Sequence, residues 1–505
     1  MSLTIQKTIH QFVDLAIQTK ALNELDRNYT VNRLLAILKL KEAGEFVASD
    51  ETTSLLDYMD LMIQYAKDTH IIDDTQADTE MFEASIMDLI TPLPSEVNRI
   101  FWEEYRESPS AATDYFYDLS QRNDYIKTRN IAKNIIFTGQ SDYGDLEVTI
   151  NLSKPEKDPK EIAKAAKQVS VNYPKCVLCI ENEGYEGHAN HAARQNHRII
   201  RIKLDQETFG FQYSPYVYYN EHSIFLNETH KPMVVDRRCF RNILDIVEIL
   251  PHYFVGSNAD LPRVGGSILA HDHYQGGRHV FPMEKAASYK QVQLERFNRI
   301  EAELVHWPMS VIRLKSQDIE ELVEASTFIL DQWIDYSDET LDIIAYTGEE
   351  RHNTITPIAR FKDGKYEMDL VLRNNRVSEE FPDGIFHPHK DVHHIKKENI
   401  GLIEVMGLAV LPPRLVDELE TVKKYLLKQI SLDEVTPIHR AWAEEIANRT
   451  NTITEANIQA VIEKNVTLKF QRVLEDAGVF KQTDEGRLGF LRFIKVLNKS
   501  RGGNA

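Results

Sequence analysis

The stretch from His271 to Gln275, which reads His-Asp-His-Tyr-Gln, contains the residues of this sequence best suited to chemistry. Residues Ser267 to Ala270 predict a strand leading into it, and side chains along a strand alternate between two faces. We therefore expect His271, His273 and Gln275 to project from one face, with neighbours roughly 6–7 Å apart. Side chains at that spacing can address one phosphoryl group together, or one of them can bind a metal ion beside it.

His273 fits the role of a nucleophile, because a neutral imidazole has an unperturbed pKa of about 6.5. Attack on phosphorus gives a phosphoramidate, which splits one displacement into two and favours transfer to a second acceptor. The Gln275 amide can hydrogen-bond a phosphoryl oxygen but cannot donate or accept a catalytic proton. Such a site needs a leaving group that departs unaided, such as a sugar phosphate or pyrophosphate. The alternative is a strand of core histidines flanked by turn glycines.

This motif resembles the active site of the galactose-1-phosphate uridylyltransferases, which belong to the histidine-triad superfamily, and in particular their class II branch. The class I branch carries His-Pro-His-x-Gln with the second histidine as the uridylylated nucleophile, a role that carries over to His273. Gln275 matches the family glutamine, whereas Asp272 replaces the proline. The resemblance extends to residues 173–179 and 253–260, and it covers roughly residues 172 to 284.

Cys176 and Cys179 have the spacing of one half of a zinc site, because two intervening residues allow both thiolates to face one ion. The resemblance implies that His230, ahead of the central helix, and His271, the first histidine of the motif, complete the set. His222 is the rival ligand. The zinc would be structural, since four protein ligands leave no open position. A redox pair or two packed thiols are the alternatives.

Phosphate and nucleotide binding is assigned to residues around the motif. The Ser267 hydroxyl and the backbone amides of Gly265 and Gly266 can donate to a phosphate. Asn258 resembles the family asparagine that contacts the nucleotide. A guanidinium binds two phosphate oxygens at once, and the candidate arginines are Arg194, Arg198, Arg263 and Arg278. Of these we select Arg278, although a solvated or structural role is the alternative for every one of them.

A second histidine motif, Phe386-His387-Pro388-His389, contains the literal His-Pro-His of class I. We reject it as the nucleophile site, because position 391 is Asp rather than Gln and no glycine-rich turn precedes it at the required interval. We interpret the histidines of this segment, including His393 and His394, as solvated loop residues. A substrate loop and a second metal site are the alternatives.

The elements that position the motif repeat along the chain. Strand patterns at 216–219 and 223–226 precede a helix from about Asp236 to Leu250 and then the histidine strand. A similar order follows, with a strand at 310–314, a helix from Ile319 to Ile334 and a strand at 353–360. We interpret this as a degenerate second copy that keeps only His352 near the expected site, with chance similarity as the alternative. The resemblance implies tandem histidine-triad-like units.

The predicted fold class is α+β, with tandem histidine-triad-like units of antiparallel sheet and packed helices behind a mainly helical N-terminal extension. Helical patterns dominate before about residue 167 and again from Leu415 to about Val496. A charged segment at 154–161 can open a helix at Pro159. The expected domains are 1–165 (helical extension), 166–300 (catalytic unit), 301–430 (second unit) and 431–505 (helical C-terminal segment).

The composition favours a soluble intracellular enzyme without identifying one, and the cytoplasm is its expected location. The chain has 505 residues, 42% of them hydrophobic and 27% charged, which is enough for a large core. A formal net charge of −19 argues against nucleic acid or an anionic membrane as the main partner. No apolar run reaches the roughly 18–20 residues of a membrane span, and no secretory segment is recognisable. Three cysteines cannot make a disulfide scaffold, so a reducing compartment fits.

The resemblance implies a uridylyltransferase that exchanges UMP between UDP-glucose and galactose 1-phosphate through a uridylyl-histidine intermediate. The expected partners are these two small-molecule substrates, and a homodimer is compatible with the sequence. Beyond the structural zinc, no organic cofactor is expected. One alternative is a dinucleoside-polyphosphate phosphorylase or hydrolase of the same superfamily, which Gln275 counts against. The other is a nucleotide- or zinc-binding protein without catalytic activity.

Overall fold

The computed structural model describes residues 2–49, 52–153, 172–266 and 268–499. Its helices are α1 (Ser2–Gln18), α2 (Arg27–Ile37), α3 (Leu55–Asp68), α4 (Gln76–Asp88), α5 (Pro94–Glu107), α6 (Pro109–Arg122), α7 (Thr128–Ile131), α8 (Arg237–Ile249), α9 (Pro282–Lys285), α10 (Ile319–Ile334), α11 (Leu402–Val405), α12 (Leu415–Leu426), α13 (Arg440–Arg449), α14 (Ile458–Ala477) and α15 (Asp484–Lys499).

Its strands are β1 (Ile135–Ser141), β2 (Gly144–Ile150), β3 (Ile200–Leu204), β4 (Glu207–Tyr213), β5 (Ser223–Asn227), β6 (Phe254–Gly256), β7 (His273–Gly277), β8 (Ser288–Val292), β9 (Glu301–Val305), β10 (Val311–Ser316), β11 (Tyr346–Thr347), β12 (Glu350–Arg351), β13 (Asn353–Lys362), β14 (Lys365–Asn374) and β15 (Leu408–Leu411). The chain divides into two compact units. The first consists of Met1–Asn130, Lys154–Val217 and Ser223–His230, and the second of Ile131–Ser153, Tyr218–His222 and Lys231–Ala505.

The first unit begins with helices α1 to α6, which confirms the helical N-terminal region. Apolar side chains from α1 to α4, such as Phe12, Met59 and Met62, are buried together in one core. The helices start where the sequence supplies caps: Ser54 accepts from the Asp57 amide at α3, and Ser108 accepts from the Ala111 amide at α6. The segment around Pro159 lies outside the described residues.

The strands of the first unit are β3, β4 and β5, which pair in that order and antiparallel. The predicted strand at 223–226 is confirmed as part of β5. The prediction of a strand at 216–219 is wrong, because these residues form bends and the start of a turn. Their aromatic composition favours a strand, but the His222 amide donates to the Tyr219 carbonyl and closes a turn instead.

The second unit holds strands in the order β7-β6-β13-β14-β10-β9-β8, each antiparallel to its neighbours. Helices α8 and α10 pack against each other and against β13 of this sheet. Both helices were predicted: α10 has the predicted bounds, and α8 runs from Arg237 to Ile249 with Asp236 as its N-cap. This sheet positions the histidine motif.

The order of the elements contains two copies of one structural repeat, as predicted. Three strands, a helix and two strands occur first as β3, β4, β5, α8, β6 and β7, and again as β8, β9, β10, α10, β13 and β14. The two short strands β11 and β12 are inserted in the second copy. Strand β6 pairs with β13, so the corresponding strands of the two copies are neighbours in the sheet. The fold class is α+β, and the main sheet is antiparallel.

A smaller sheet in the second unit has the order β1-β2-β15, with β15 parallel to β2. Helix α14 packs on β1, and α15 packs near α10. The helical pattern predicted for the C-terminal region is confirmed by α12 to α15. Among the described residues, no helix is both long enough and apolar enough to cross a membrane.

Candidate active site

The strand that carries the predicted nucleophile begins later than the sequence predicts. Strand β7 starts at His273, whereas residues 268 and 269 lie outside any strand, so the predicted strand over Ser267 to Ala270 is wrong in its described part. The backbone of this segment is paired elsewhere: Leu269 accepts a hydrogen bond from the Met233 amide, and the Asp272 amide donates to Lys231. The segment is thus held by the loop that precedes α8.

Strand β7 separates two sets of side chains. Tyr274 points toward α8, where its hydroxyl accepts a hydrogen bond of 3.1 Å from the Asn242 amide. Because side chains alternate along a strand, His273 and Gln275 lie together on the opposite face. Only these two of the three predicted residues are on the strand, since His271 precedes it. The alternation of side chains along β7 therefore places one histidine, His273, on the same face as Gln275.

The His273 imidazole is buried, with 6% of its surface exposed, and its ring is oriented by the backbone. Nδ1 lies 2.7 Å from the carbonyl oxygen of His271, which can only accept, so Nδ1–H donates and Nε2 carries the lone pair. Burial lowers the pKa of His273, although the hydrogen bond to His271 opposes this. The ring is consequently a neutral imidazole with one nucleophilic nitrogen.

Asp272, which stands where class I has proline, anchors the start of β7 to the helix behind it. Its buried carboxylate forms an ion pair of 2.8 Å with Arg238 of α8. Burial is the largest single influence and lowers the pKa of Arg238, but the hydrogen bond to Asp272 and the attraction of neighbouring groups together outweigh burial and raise that pKa. The arginine stays charged, and the backbone immediately before His273 is fixed.

Gln275 is half-buried, and its side-chain oxygen lies 3.1 Å from Nε2 of His222. Gln275 also pairs through its backbone with Gly256 of β6. His222 is therefore placed beside the predicted phosphoryl ligand. The sequence presented it only as an alternative zinc ligand.

Four side chains form a group that could hold a metal ion: Cys176, Cys179, His230 and His271, whose ligand atoms lie within 4.8 Å of one another. The Cys179 sulfur lies 3.1 Å from Nδ1 of His230 and 3.6 Å from the Cys176 sulfur. Two thiols and two imidazoles are the donor set that zinc prefers. This group contains His230 and does not contain His222.

The loop that carries the two cysteines is braced by one buried amide. The Asn182 side chain donates to the carbonyl oxygens of Cys176 and Cys179, at 2.8 and 2.7 Å. His191 in turn contacts the Asn182 side-chain oxygen. None of the three cysteines of the chain, Cys176, Cys179 and Cys239, forms a disulfide. The loop geometry therefore depends on hydrogen bonds rather than on a disulfide.

The predicted phosphate-binding glycines are tightly packed. A Cβ atom on Gly266 would lie 2.5 Å from the Asn258 amide nitrogen, and one on Gly265 would lie 2.4 Å from the Ala259 carbonyl oxygen. Asn258 is buried, and its side-chain oxygen accepts a hydrogen bond of 2.9 Å from the Leu402 amide. Ser267 lies outside the described residues. The structure thus brings Asn258 and Gly266 together, and their contacts with a nucleotide stay a prediction.

Arg278 follows β7 directly and forms an ion pair of 2.9 Å with Glu221. The same carboxylate accepts a short hydrogen bond from the Tyr253 hydroxyl. The Arg278 side chain is about one-third exposed, so a second, anionic ligand can still reach its guanidinium. Its role as a phosphate ligand stays a prediction.

The other candidate arginines have structural contacts. Arg198 is buried, and its guanidinium donates to Asp88 and to four carbonyl oxygens, so no donor is left to clamp a phosphate. Arg194 lies over the Tyr125 ring at 5.6 Å. Arg263 has a left-handed backbone with φ of 62° and lies 3.9 Å from Glu350.

The histidines of the second motif are not solvated, so that prediction is wrong. His387 is buried and its Nε2 lies 3.2 Å from the Asn399 side-chain oxygen. His389 is stacked on Phe381 and hydrogen-bonds the Ile385 carbonyl oxygen. His393 hydrogen-bonds the carbonyl of the intervening proline at 2.8 Å. His389 and His393 thus hold the backbone of a connecting segment that contains only a short 3-10 helix, Lys390–Val392.

His352, expected near the site of the second copy, lies elsewhere. It precedes β13, which corresponds to β6 in the order of elements, and its Nε2 contacts the Thr347 hydroxyl at 2.8 Å. The strand that corresponds to β7 is β14. It carries Glu367 and Asp369 at the spacing of His273 and Gln275, which sequence reasoning missed.

Comparison with known families matches two models to this chain. The model described as galactose-1-phosphate uridyl transferase, N-terminal domain, matches residues 20–232. The model described as galactose-1-phosphate uridyl transferase, C-terminal domain, matches residues 246–444.

Curated relatives align over nearly the whole chain. A protein named galactose-1-phosphate uridylyltransferase from Enterococcus faecalis is 53% identical over 494 residues, which are 97% of this chain and 98% of the relative. One of the same name from Staphylococcus saprophyticus is 51% identical over 97% of this chain and 99% of its own length. A crystal structure of yeast Ap4A phosphorylase Apa2 aligns with 60% of this chain and 92% of its own, at 12% identity and a TM-score of 0.33.

Proposed function

The chain belongs to the galactose-1-phosphate uridyl transferase family, and we propose that His273 carries the uridylyl group in its reaction. The protein is a nucleotidyltransferase of galactose metabolism that exchanges UMP between UDP-glucose and galactose 1-phosphate. The observation that carries the assignment of His273 is the 2.7 Å contact between its Nδ1 and the His271 carbonyl oxygen. This contact leaves Nε2 as the nucleophilic atom.

In the first half-reaction, Nε2 of His273 attacks the α-phosphorus of UDP-glucose. A nitrogen–phosphorus bond forms, and the bond from that phosphorus to the bridging oxygen breaks with its electron pair going to glucose 1-phosphate. The leaving group is a phosphate, which is stable as an anion and needs no proton. The imidazole becomes cationic when its nitrogen is uridylylated, and the Nδ1–H hydrogen bond to the His271 carbonyl stabilises that charge.

In the second half-reaction, a phosphate oxygen of galactose 1-phosphate attacks the same phosphorus. The nitrogen–phosphorus bond breaks, its electron pair returns to Nε2, and UDP-galactose leaves. His273 is neutral again, as burial favours. No step requires a general acid or base, which agrees with a glutamine at position 275.

The Gln275 amide N–H is proposed to donate to a non-bridging phosphoryl oxygen of the transferred group. Support comes from its place on the His273 face of β7 and from its partial exposure. Asn258, Gly265, Gly266, Ser267 and Arg278 are proposed to bind the rest of the nucleotide. Backbone amides and a guanidinium in that role stabilise charge that develops in the transition state.

The metal is proposed to be zinc, bound by Cys176, Cys179, His230 and His271. The two thiols and two imidazoles lie close enough to share one tetrahedral ion. With four protein ligands such an ion has no position for water, so it contributes structure and not chemistry. Its ligand His271 supplies the carbonyl that orients His273, which links the metal to the nucleophile through one residue.

We propose the cytoplasm as the location of the enzyme, because none of its three cysteines forms a disulfide. Its proposed small-molecule partners are UDP-glucose and galactose 1-phosphate, and its proposed protein partner is a second copy of the chain. The curated relatives from Enterococcus faecalis and Staphylococcus saprophyticus carry the name of the transferase, which favours this function over a phosphorylase, a hydrolase or a silent binding protein.

An isotope-exchange experiment tests the covalent route. The enzyme is incubated with UDP-glucose and labelled glucose 1-phosphate, with no galactose 1-phosphate present. A uridylyl-histidine intermediate predicts that label enters UDP-glucose, because the first half-reaction is reversible on its own. The variant His273→Ala should show no exchange. Overall transferase activity without this partial exchange would contradict the proposal.

A further inference from the structure

We propose that His222 is a positioning residue for the uridylyl transfer, which orients the Gln275 amide so that its N–H groups face the phosphoryl group. The proposal rests on the proposed function of Gln275 as a phosphoryl ligand. It concerns a single hydrogen bond between residues that are 53 positions apart in the sequence.

The direction of this hydrogen bond follows from the atoms that meet. His222 Nε2 lies 3.1 Å from the Gln275 side-chain oxygen, which is an acceptor only. Nε2 must therefore carry the proton and donate. In the opposite arrangement the Gln275 amide nitrogen would donate to Nε2, and His222 would carry its proton on Nδ1. Nδ1 is buried and has no hydrogen-bond partner among the described residues, and a buried N–H without an acceptor is costly.

The consequence for Gln275 is a fixed amide. Once the oxygen accepts from His222, the NH₂ group must point away from His222. Within the part of the chain that the structure describes, Gln275 makes no other side-chain hydrogen bond. The residue is only half-buried, so a ligand can reach it. An oriented donor that is not already used is what a phosphoryl oxygen needs.

His222 is held in place by a rigid turn. Its backbone amide donates to Tyr219 at 3.1 Å, and its ring lies 4.5 Å from the Tyr219 ring. Glu221, between them, has a left-handed backbone with φ of 56°. A Cβ atom on Gly277 at the end of β7 would lie 2.7 Å from the Glu221 carbonyl oxygen. The turn is thus packed directly against the strand that carries Gln275.

The protonation state agrees with a single donated proton. Burial lowers the pKa of His222 to about 4, although the hydrogen bond to Gln275 opposes this. A neutral imidazole has one N–H, and the geometry assigns it to Nε2. Tyr218 and Tyr219 are the aromatic neighbours of the ring.

The test begins with His222→Phe, which keeps a planar ring and removes the donor. We expect kcat to fall about tenfold, the scale of one lost hydrogen bond, with little change in KM. His222→Gln places an amide N–H near the position of Nε2 and should restore most of the loss. A fully active His222→Phe, or a His222→Gln as slow as His222→Phe, would overturn the proposal.

A matched control separates positioning from packing. His197 is also buried, and its Nε2 also contacts a glutamine oxygen, that of Gln212, at 2.8 Å. His197→Phe should lower the melting temperature but leave kcat of the folded enzyme unchanged. An equal loss of kcat in both variants would show that His222 acts through stability alone, against the proposal.

The double variant distinguishes this proposal from that for Gln275 itself. If His222 acts through Gln275, then adding His222→Phe to Gln275→Ala should not slow the enzyme further. A further tenfold loss would contradict the role of His222. A fully active Gln275→Ala would instead contradict the proposed function of Gln275, whatever His222 does.

Discussion

Strands β7 and β14 have the same place in the two copies of the repeat, and they carry opposite chemistry. Backbone pairs run across the sheet from Gln275 to Gly256, from Gly256 to Ile358 and from Ile358 to Asp369. Directly paired residues of antiparallel strands share a face, so Gln275 and Asp369 lie on the same side of one sheet. Each lies one strand away from the β6–β13 pair.

The face of β14 is occupied by ion pairs. Asp369 is fully buried and accepts from Arg313 at 2.6 and 3.0 Å, and from Arg360 at 2.8 Å. Glu367, at the position that corresponds to His273, accepts from Arg360 at 2.7 Å. Arg313 also donates to the carbonyl oxygen of Met283, in the segment that follows β7.

The difference shows that equivalent strands of the two copies can carry different side chains and serve different roles. In the first copy the face of the last strand keeps a neutral imidazole and an amide with an unused donor. In the second copy the same positions hold Glu367 and Asp369, whose carboxylates are paired with neighbouring arginines. A buried network of this kind needs every member, because removing one leaves a buried charge unpaired.

The largest expected effect is that of His273→Ala. The variant should lose uridylyl exchange completely while it still binds UDP-glucose, since the imidazole contributes the bond to phosphorus and little ground-state affinity. Steady-state rates and calorimetric binding measure the two properties. An active His273→Ala enzyme would disprove the assignment of the nucleophile.

Gln275→Ala should slow the reaction by roughly 10²–10³-fold, the scale for losing one oxyanion donor, with a much smaller change in substrate affinity. Gln275→His supplies a proton donor, so its products should shift from UDP-galactose toward free UMP. Chromatographic comparison of the two products is the measurement. Full activity with an unchanged product ratio would reduce Gln275 to a packed strand residue.

Asp369→Ala should act on stability instead of chemistry. Arg313 and Arg360 lose their buried carboxylate, and such a loss costs roughly 3–5 kcal/mol of unfolding free energy. Denaturant titration gives the stability, and kcat per folded molecule should fall far less than in Gln275→Ala. Glu379→Ala, at an exposed carboxylate, is the control and should be neutral. An Asp369→Ala variant that is stable but has a low kcat would contradict the structural role assigned to β14.

Replacement of His230, the proposed metal ligand, should lower stability less than Asp369→Ala does, and the effect should be confined to the cysteine loop. Metal analysis of protein purified without chelator should give about one zinc per chain. His230→Ala should release the zinc and lower the melting temperature, whereas His222→Ala should retain it. The reverse pattern would make His222 the ligand and contradict its proposed contact with Gln275.

The smallest effect is a pH dependence in the second copy. The ion pairs with Arg313 and Arg360 overcome the effect of burial and lower the pKa of Asp369 from 3.8 to about 2. Because the folded pKa is depressed, this stabilisation is present above about pH 4 and is lost as pH falls toward 2. Stability curves of wild type and Asp369→Asn should therefore converge in that range. A constant difference would show that Asp369 is not ionised in the folded protein.

The sequence predicted the elements with strong local signals. Helices α8 and α10 have clear amphipathic patterns and aspartate N-caps, and their observed bounds differ from the predicted ones by one residue or none. The prediction of a strand at 216–219 was wrong, because the aromatic residues of this segment favour a strand while its backbone forms bends and a turn.

The site was predictable only in part, because motif spacing reports neighbours in sequence. The positions of His273 and Gln275 could be assigned to one face from alternation alone. The contacts of His222 with Gln275, and of Arg238 with Asp272, join residues 53 and 34 positions apart. No local pattern encodes such contacts. The same holds for the ion pairs on β14, which depend on strand pairing.

The covalent intermediate is the central claim, and intact-mass measurement tests it most directly. Wild-type protein incubated with UDP-glucose alone should gain the mass of one uridylyl group per chain, and peptide mapping should place it on His273. Addition of galactose 1-phosphate should remove the group and yield UDP-galactose, and His273→Ala should gain no mass. Active wild-type enzyme without any adduct, or an adduct on another residue, would contradict the account.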